Sequence, residues 1–262
     1  MLSDREIIST LDMVRSEHLD VRTVTLGVSL FDCVSHDLDL FIGNMRAKLR
    51  KYASNLVSVC NEVGDKYGIP VVNKRISVSP IAVVGGPFGP DGMVRICQAL
   101  DEAAQEAGVD FLGGFSALVE KGFAHGDKAL IEAIPEALAT TERVCSSINI
   151  ASSRAGINMD AAALMGRQIL ETARATADRG GFGCTKLVVF CNIPQDVPFM
   201  AGAYLGVGEP DCVINVGVSG PGVVKKAIDR ALEKSRSQGC GLSLLKVSEV
   251  IKRTAYKVTR VG

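Results

Sequence analysis

This 262-residue sequence is short of aromatic residues and carries no net charge. Tryptophan is absent and aromatic residues make up 5% of the chain. Lysine plus arginine and aspartate plus glutamate balance at 29 each, so the formal net charge at pH 7 is zero. Proteins that bind nucleic acids usually carry a basic excess or stripe, and aromatic side chains on which bases stack. We therefore expect no nucleic-acid partner.

Long apolar runs and paired cysteine motifs are missing as well. No segment approaches the roughly 20 apolar residues of a membrane-spanning helix. The first 18 residues have the pattern of an amphipathic helix with early acidic residues, which is not that of a signal peptide. None of the eight cysteines forms C-x-x-C or has a histidine at zinc-ligand spacing. We expect free thiols in a reducing cytoplasm, no metal site and no membrane partner.

The common catalytic and nucleotide-binding motifs are also absent. The sequence contains no G-x-G-x-x-G, no P-loop, no G-x-S-x-G and no H-E-x-x-H. Its three histidines, His18, His36 and His125, lie in polar segments, and nothing in the pattern selects one of them for catalysis. No cofactor can be named from these residues.

The sequence does contain a regular alternation of apolar strand patterns and amphipathic helix patterns. Strands are predicted over residues 21–30, 71–84, 110–119, 144–151, 186–194 and 211–219. Helices are predicted over residues 39–66, 91–107, 126–140, 160–178 and 223–237, with another from about residue 246, and Asp91 is expected to cap the second of these. This alternation is typical of βα units. We predict one α/β domain over residues 1–262 with a mainly parallel sheet, either a barrel or an open wound sheet.

Small and polar residues stand where these strands are predicted to end. Parallel α/β folds bind ligands beyond the carboxyl ends of their strands. The residues expected to line one common mouth are Gly27, Ser29, Asp32, Gly113, Gly114, Ser116, Ser146, Ser147, Asn149, Asn215, Ser219, Gly220 and Gly222. Such a lining suits a small anionic or carbonyl-containing metabolite. Ordinary turn chemistry is the alternative explanation for each residue taken singly.

Other segments suggest specific roles at that mouth. The turn "SGPG" before a helix is a possible anion seat, with Lys225 and Lys226 following it as either ligand contacts or solvated lysines. Lys74 and Arg75 interrupt a strand, and alternation lets at most one of them point into a pocket as a countercharge. Asp32 and Glu209 are the acid/base candidates. The loop over residues 195–211 either closes Phe199, Met200 and Tyr204 over a ligand or packs on its own core.

Six blocks of the sequence resemble one widespread bacterial and archaeal family that has no established reaction. These blocks are "VSLFDC", "GIPVVNKRISVSPI", "GVDFLGGFSALVEKG", "VCSSINIASSRAGINM", "PFMAGAYLGVGEPD" and "INVGVSGPGVVKKA", and together they extend along essentially the whole chain. The resemblance implies the fold of glycyl-radical enzymes such as pyruvate formate-lyase, a ten-stranded α/β barrel made of two half-barrels. It also implies a possible ACT-domain protein as partner.

The same resemblance limits what can be transferred. Family members are longer, so the chain looks like their N-terminal portion, truncated at its C-terminus. Cys145 is the one thiol near the supposed pocket, and the final "TRVG" is not a radical glycine motif, so we predict no radical chemistry. Two hypotheses follow: an enzyme that acts on a small metabolite, or a non-catalytic metabolite sensor that works with an ACT-domain protein. A half-barrel would expose a sheet edge, so we also expect a homo-oligomer.

Overall fold

Strands and helices alternate along the chain as the apolar periodicity predicts. The structure is a computed structural model that describes residues 4–17, 19–199, 201–237, 239 and 241–262. Its helices are α1 (Asp4–Glu17), α2 (Leu38–Ala53), α3 (Leu56–Tyr67), α4 (Ile81–Val84), α5 (Pro90–Ala107), α6 (His125–Thr140), α7 (Met159–Ala175), α8 (Pro221–Ser237) and α9 (Leu244–Thr259). Its strands are β1 (Asp20–Val28), β2 (Val71–Val78), β3 (Phe111–Leu118), β4 (Val144–Ser152), β5 (Gly156–Ile157), β6 (Leu187–Cys191) and β7 (Cys212–Ser219).

Two of the predicted elements and one predicted helix cap differ from those observed. The run predicted as one strand over residues 71–84 is β2 followed by the short helix α4, because the chain turns at Pro80 and a short apolar run fits either state. The helix predicted over residues 39–66 is two helices, α2 and α3. Helix α5 has Gly89 as its N-cap and Pro90 at its first position, so the expectation that Asp91 caps this helix is wrong.

The described strands form a mixed, mostly parallel sheet, in agreement with the predicted fold class. The strand order is β5-β4-β3-β2-β1-β7, and β6 also pairs with β4. β2 with β3, β3 with β4, and β4 with β6 are parallel pairs, whereas the two-residue β5 runs antiparallel to β4. β3 and β4 are buried along nearly their whole length, as expected of central parallel strands.

β7 runs against its neighbour β1 at its first residues. The Ser29 N–H donates to the carbonyl of Asp211 at 2.9 Å, and two residues further back Gly27 lies against Val213. From the first contact to the second, the residue number decreases along β1 and increases along β7, so the two strands run antiparallel. The start of β7 therefore lies beside the end of β1, and it brings Asp211 to that place.

Two compact units divide the described residues. The first consists of residues from 1–24, 60–73 and 216–262, and its apolar core is Met13, Leu19, Val223 and Val258. The second consists of residues 25–59 and 74–215, and it contains all of β3, β4 and β6 with helices α5, α6 and α7. No helix within the described ranges is both long and apolar enough to cross a bilayer. That the whole chain is one domain stays a prediction.

Two buried charges fix where β4 begins in the second unit. The Asp101 carboxylate accepts hydrogen bonds from the N–H groups of Glu142, Arg143 and Val144 at 3.1, 2.7 and 3.2 Å. The Lys186 ammonium donates to the carbonyls of Leu138 and Thr141 at 2.9 and 2.5 Å, where the carbonyls of α6 would otherwise lack partners. Burial lowers the pKa of Lys186. These contacts set the register that carries the later residues of β4 to the site described next.

Candidate functional site

The small polar residues of β3 and β4 mostly lie inside the strands rather than at their carboxyl ends. Gly113 and Gly114 are the third and fourth residues of β3, and Ser146 and Ser147 are the third and fourth of β4. The β3–β4 register shifts between Leu112 and Phe115, around Gly114 with its φ of 118°, a value that favours glycine. Because of this irregularity, Gly113 and Ser116 face the same side of the sheet although they are three residues apart.

The loop over residues 195–211 occupies that side of the sheet. The Ser147 hydroxyl donates to the carbonyl of Gly202 at 3.1 Å and lies 2.7 Å from the Ser116 hydroxyl. Gly113 lies so close to the Ala203 carbonyl that a Cβ would collide with it. The serines and glycines at these positions therefore hold the protein's own loop, with no room left there for a ligand.

Tyr204, one of the two aromatic residues of this loop, supports this packing role. Tyr204 is fully buried, and its hydroxyl donates to the Pro194 carbonyl at 2.7 Å. Burial and the nearby charges of Asp196 and Glu120 raise the pKa of Tyr204 to about 12. Of the two roles considered for this loop, the structure favours packing on its own core. Met200, like His18, lies outside the described residues.

The basic pair on β2 lies in the middle of the strand. Arg75 stands opposite Phe111, the first residue of β3, and its guanidinium stacks over that ring at 5.2 Å. The Lys74 N–H donates to Asp110 at 2.7 Å. Neither lies at the carboxyl end, so a countercharge role there stays a prediction without a supporting contact.

Two of the three catalytic candidates have environments that do not suit them to catalysis. Cys145 is the second residue of β4, and burial raises its pKa to about 11, so it holds its proton at neutral pH. Glu209 is exposed in a turn closed by its own N–H to Gly206. The Cys145 thiol lies 4.0 Å from the Arg143 carbonyl, and no ion pair with Glu209 is found among the described residues.

The residues of the predicted anion seat, Ser219, Gly220 and Gly222, belong to the first unit. Ser219, Gly220 and Gly222 stand at the start of α8, and Gly220 packs near Val258 of α9. Lys225 forms an i,i+4 ion pair with Asp229 at 2.8 Å, as a solvated surface lysine would. Asn215 is half-buried in the middle of β7. A ligand site shared by these residues with β3 and β4 stays a prediction.

Asp32, the third catalytic candidate, is part of a charge cluster. It lies in the 3-10 turn after β1, and its carboxylate accepts a hydrogen bond from the buried Lys48 of α2 at 2.6 Å. The same ammonium donates to Asp211 at 2.5 Å, and Asp211 also accepts from the Tyr52 hydroxyl at 3.2 Å. The hydrogen bond from Lys48 lowers the pKa of Asp32, so this carboxylate stays ionised and is a poor proton acceptor. Lys48 of α2 thus links the turn after β1 to Asp211, the residue before β7; we call Asp32, Lys48 and Asp211 the clamp.

A crevice lies at the carboxyl end of β3, where α/β proteins commonly bind ligands. Its volume is about 380 Å³. The lining residues are Ala82 and Val83 of α4, Gly86, Leu118 of β3, and Ala124, His125, Gly126 and Asp127 at the start of α6. Gly126 approaches the Ala82 carbonyl so closely that a side chain would collide with it, which brings α6 against α4 and forms the wall. The site is not recognisable from the sequence because its walls come from three separate segments, residues 82–86, Leu118 and residues 124–127.

The start of α6 supplies polar groups to the crevice. In the described part of the chain, the N–H groups of His125, Gly126 and Asp127 donate to no other residue. These groups and the helix dipole favour a carbonyl or carboxylate oxygen. His125 donates from Nδ1 to the Gly86 carbonyl at 3.1 Å, because a carbonyl can only accept.

A buried carboxyl and a buried amide stand next to this helix start. Burial raises the pKa of Asp127, the charge of Glu120 adds to the increase, and the Ala124 N–H, which donates to it at 2.8 Å, opposes it. Asn149 is the register partner of Leu118, so the two side chains are neighbours on one face, and its Nδ2 donates to Glu120 at 3.0 Å. Asn149, one of the strand residues predicted to bind a ligand, is thus a neighbour of Leu118 but is not among the residues that line the crevice. Among the described residues, no three His, Cys, Asp or Glu are placed to hold a metal ion.

Comparison with known proteins identifies relatives over the entire chain. Residues 12–262 match the family model described as "Uncharacterised ACR (DUF711)". A UPF0210 protein of Desulfovibrio desulfuricans is 82% identical over 263 residues, and one of Methanosarcina mazei is 55% identical over 265 residues. These alignments cover 100% of this chain but only 57% and 56% of the relatives. The chain thus spans little more than half the length of the curated relatives it matches.

Proposed function

The chain belongs to the uncharacterised DUF711 family, and from its geometry we propose that it binds a small carboxylate- or carbonyl-containing metabolite in the crevice at the end of β3. The observation that carries the proposal is the start of α6, where His125, Gly126 and Asp127 line a cavity with apolar walls and have N–H groups without partners within the described chain. An oxygen of the ligand would accept from these groups, and its carbon skeleton would lie against Val83 and Leu118.

If the protein is an enzyme, Asp127 is the residue best placed for proton transfer. A carboxyl whose pKa is raised can hold a proton nearer to neutral pH than an exposed aspartate, and the proton can then move to a polarised carbonyl. His125, with its Nδ1 proton committed to Gly86, would present Nε2 as an acceptor. This assignment replaces Asp32, Glu209 and Cys145 in the catalytic role and requires no radical chemistry.

The test is a titration that follows backbone and methyl resonances by NMR. Pyruvate, propionate and lactate are added to the protein, and the Gly126 amide and Leu118 methyl signals are expected to shift. Val83→Phe should fill the crevice and remove the shifts, because Val83 is 51% exposed on its wall. Val63→Phe is the matched control, a helical valine that is 45% exposed elsewhere. Shifts that persist in Val83→Phe, or no shift with any of the compounds, would overturn the proposal.

A sensor without turnover is the alternative function, and it uses the same crevice. It predicts the same resonance shifts with no product when the samples are followed over time. In the family context this role includes an ACT-domain partner, which should co-purify with the full-length protein. Product formation from any bound compound would decide for an enzyme.

Several expectations from the resemblance stay proposals. These are the ten-stranded glycyl-radical-like barrel, assembly into a homo-oligomer, and residence in the cytoplasm. The seven cysteines within the described residues are all free, which supports a reducing compartment. That the chain corresponds to the N-terminal portion of a longer protein is a proposal of the same kind.

A further inference from the structure

Helix α7 of the second unit presents an apolar face to the solvent. Its inner side is buried through Ala161, Met165 and Thr172. On the opposite side, four exposed apolar or small residues recur at the spacing of one helix face, and we call them the α7 face: Met159, Ala163, Gly166 and Leu170. Met159 is 69% exposed and Leu170 is 58% exposed. A continuous apolar face of this kind, unlike singly exposed apolar residues, is typical of a contact with another protein.

No contact within the described residues accounts for the glycine in the middle of the α7 face. Glycine destabilises the interior of a helix relative to alanine. It is often found where a neighbouring group comes too close for a side chain, but a Cβ at Gly166 would meet no atom of the described chain within 4 Å. Ala163, almost one turn earlier, is small as well. Two small residues at the centre of an exposed helix let a second helix approach closely, which indicates a neighbour from outside this chain.

The α7 face has the same order of large and small residues from either end. Ala163 and Gly166 are the small residues at its centre, and Met159 and Leu170 each lie four residues further out. In an antiparallel pair of α7 helices related by a twofold axis, Met159 of one protomer would lie opposite the partner subunit's Leu170. Ala163 would lie opposite the partner subunit's Gly166. This self-complementary order favours a second copy of the chain as the neighbour.

The charges beside the α7 face fit the same arrangement. Of the four charged residues of α7, Glu171 and Arg174 form an ion pair with each other at 2.6 Å. The other two, Asp160 and Arg167, are exposed on one flank of the face and form no ion pair within the described residues. In the antiparallel pair this flank lies beside the same flank of the second helix. Asp160 and the partner subunit's Arg167 are then offset along the axis by two residues, about 3 Å, which is within reach of an ion pair.

We propose that the chain forms a twofold dimer through the α7 face, with the two α7 helices antiparallel and Asp160 of each protomer paired with the partner subunit's Arg167. The dimer does not depend on ligand binding in the crevice, so it is independent of the proposed function. It also uses a surface other than the sheet edge from which a homo-oligomer was expected. One pair of 17-residue helices buries less than the roughly 1,600 Å² of a standard stable interface. We therefore expect a weak dimer whose population depends on protein concentration.

Gly166→Gln tests the close approach of the two helices by sedimentation equilibrium from micromolar to millimolar protein. In the monomer the new side chain has room and favours the helix more than glycine does, so the melting temperature of the monomer should not fall. In the dimer it would enter the tightest contact twice, and the dissociation constant should rise about tenfold or more. Gly43→Gln is the matched control. Gly43 is an exposed glycine of α2 whose Cβ would also meet no atom within 4 Å, so this variant should dimerise like wild type.

Charge reversal tests the antiparallel arrangement. Arg167→Asp should weaken the dimer, because it places like charges together at both ends, and adding Asp160→Arg to it should restore the dimer. Circular dichroism checks that each variant is folded, and a merely structural effect of the first substitution would not be reversed by the second.

Three results would overturn the inference. They are a chain that stays monomeric over the whole concentration range, a Gly166→Gln variant that dimerises like wild type, and a charge reversal that the second substitution does not restore. The first result would mean that something else covers the α7 face, such as the part of the longer relatives that this chain does not span. Each of them would leave the proposed ligand binding standing, because that is measured at the crevice.

Discussion

Replacing Lys48 by methionine should destabilise the second unit by breaking the clamp with Asp32 and Asp211. The Lys48 side chain is 8% exposed, while those of Asp32 and Asp211 are 65% and 56% exposed. Methionine fills the space of the lysine stem, so the loss is mainly electrostatic. Ion pairs with exposed partners contribute roughly 0.2–1 kcal/mol each, so two of them give a cost of about 0.4–2 kcal/mol at pH 7.

The pH dependence of this loss follows from the pKa directions. Burial acts to lower the pKa of Lys48, but hydrogen bonds from its ammonium to Asp211 and Asp32 outweigh burial and raise it. That contribution is complete below the unfolded lysine pKa of about 10.4 and disappears as pH rises through the folded value. The lowered pKa of Asp32 gives a contribution that is complete above about 3.9 and disappears as pH falls through the folded value. The difference between wild type and Lys48→Met should therefore be constant between these limits.

Urea unfolding and amide exchange together measure the effect. The Ser29 N–H, bonded to the Asp211 carbonyl, should exchange faster in Lys48→Met because the clamp holds the start of β7 against the end of β1. Lys51→Met, an exposed lysine on the same helix, is the control. In a background with both aspartates changed to asparagine, Lys48→Met should lose much less stability. An equal loss in that background, or no loss in the wild-type background, would refute the electrostatic account.

Three further predictions concern the sheet and the crevice. Asp127→Asn should be at least as stable as wild type at pH 7, because the fold raises the pKa of this carboxyl and so disfavours its charged form; a loss of stability on urea unfolding would contradict the assigned burial effect. Gly113→Ala should cost about 1–3 kcal/mol by pushing against the Ala203 carbonyl, a cost that thermal unfolding measures. A thiol reagent at pH 8 should modify the exposed Cys191 well before the buried Cys145, and the reverse order by mass spectrometry would show that Cys145 is accessible.

Apolar periodicity predicts most of this fold because it depends on neighbouring residues alone. β3 was expected over residues 110–119 and is found at Phe111–Leu118; α5 was expected over 91–107 and is found at Pro90–Ala107. The prediction failed at residues 80–84, because this apolar run is too short to show the period of either a helix or a strand. "PIAVV" fits a strand and a helix equally, and the turn at Pro80 sends it into α4.

The candidate site depends on pairings that no local pattern encodes. Lys48 contacts Asp211, 163 residues later in the chain, and on an amphipathic helix it looks like any solvated lysine. Asn149 lies late in β4, inside the predicted strand, but its partner Glu120 lies 29 residues away across the β3–β4 register. Register follows from packing and from the irregularity at Gly114, so it becomes visible only in three dimensions.

The glycines of the strands and of the loop have a different role from the ligand-binding one expected for the strand glycines from the sequence. Glycines at strand positions can let a backbone approach a ligand, but here Gly113 and Gly202 let the loop over residues 195–211 approach the sheet. The same close contact recurs where Gly126 meets the Ala82 carbonyl, and there it forms a wall of the crevice instead of filling it. A larger residue at position 126 would push α6 from α4 and displace the three N–H groups on which the proposed binding depends. Ligand binding should therefore be more sensitive to Gly126 than to any glycine under the loop, because only Gly126 sets the position of the binding groups themselves.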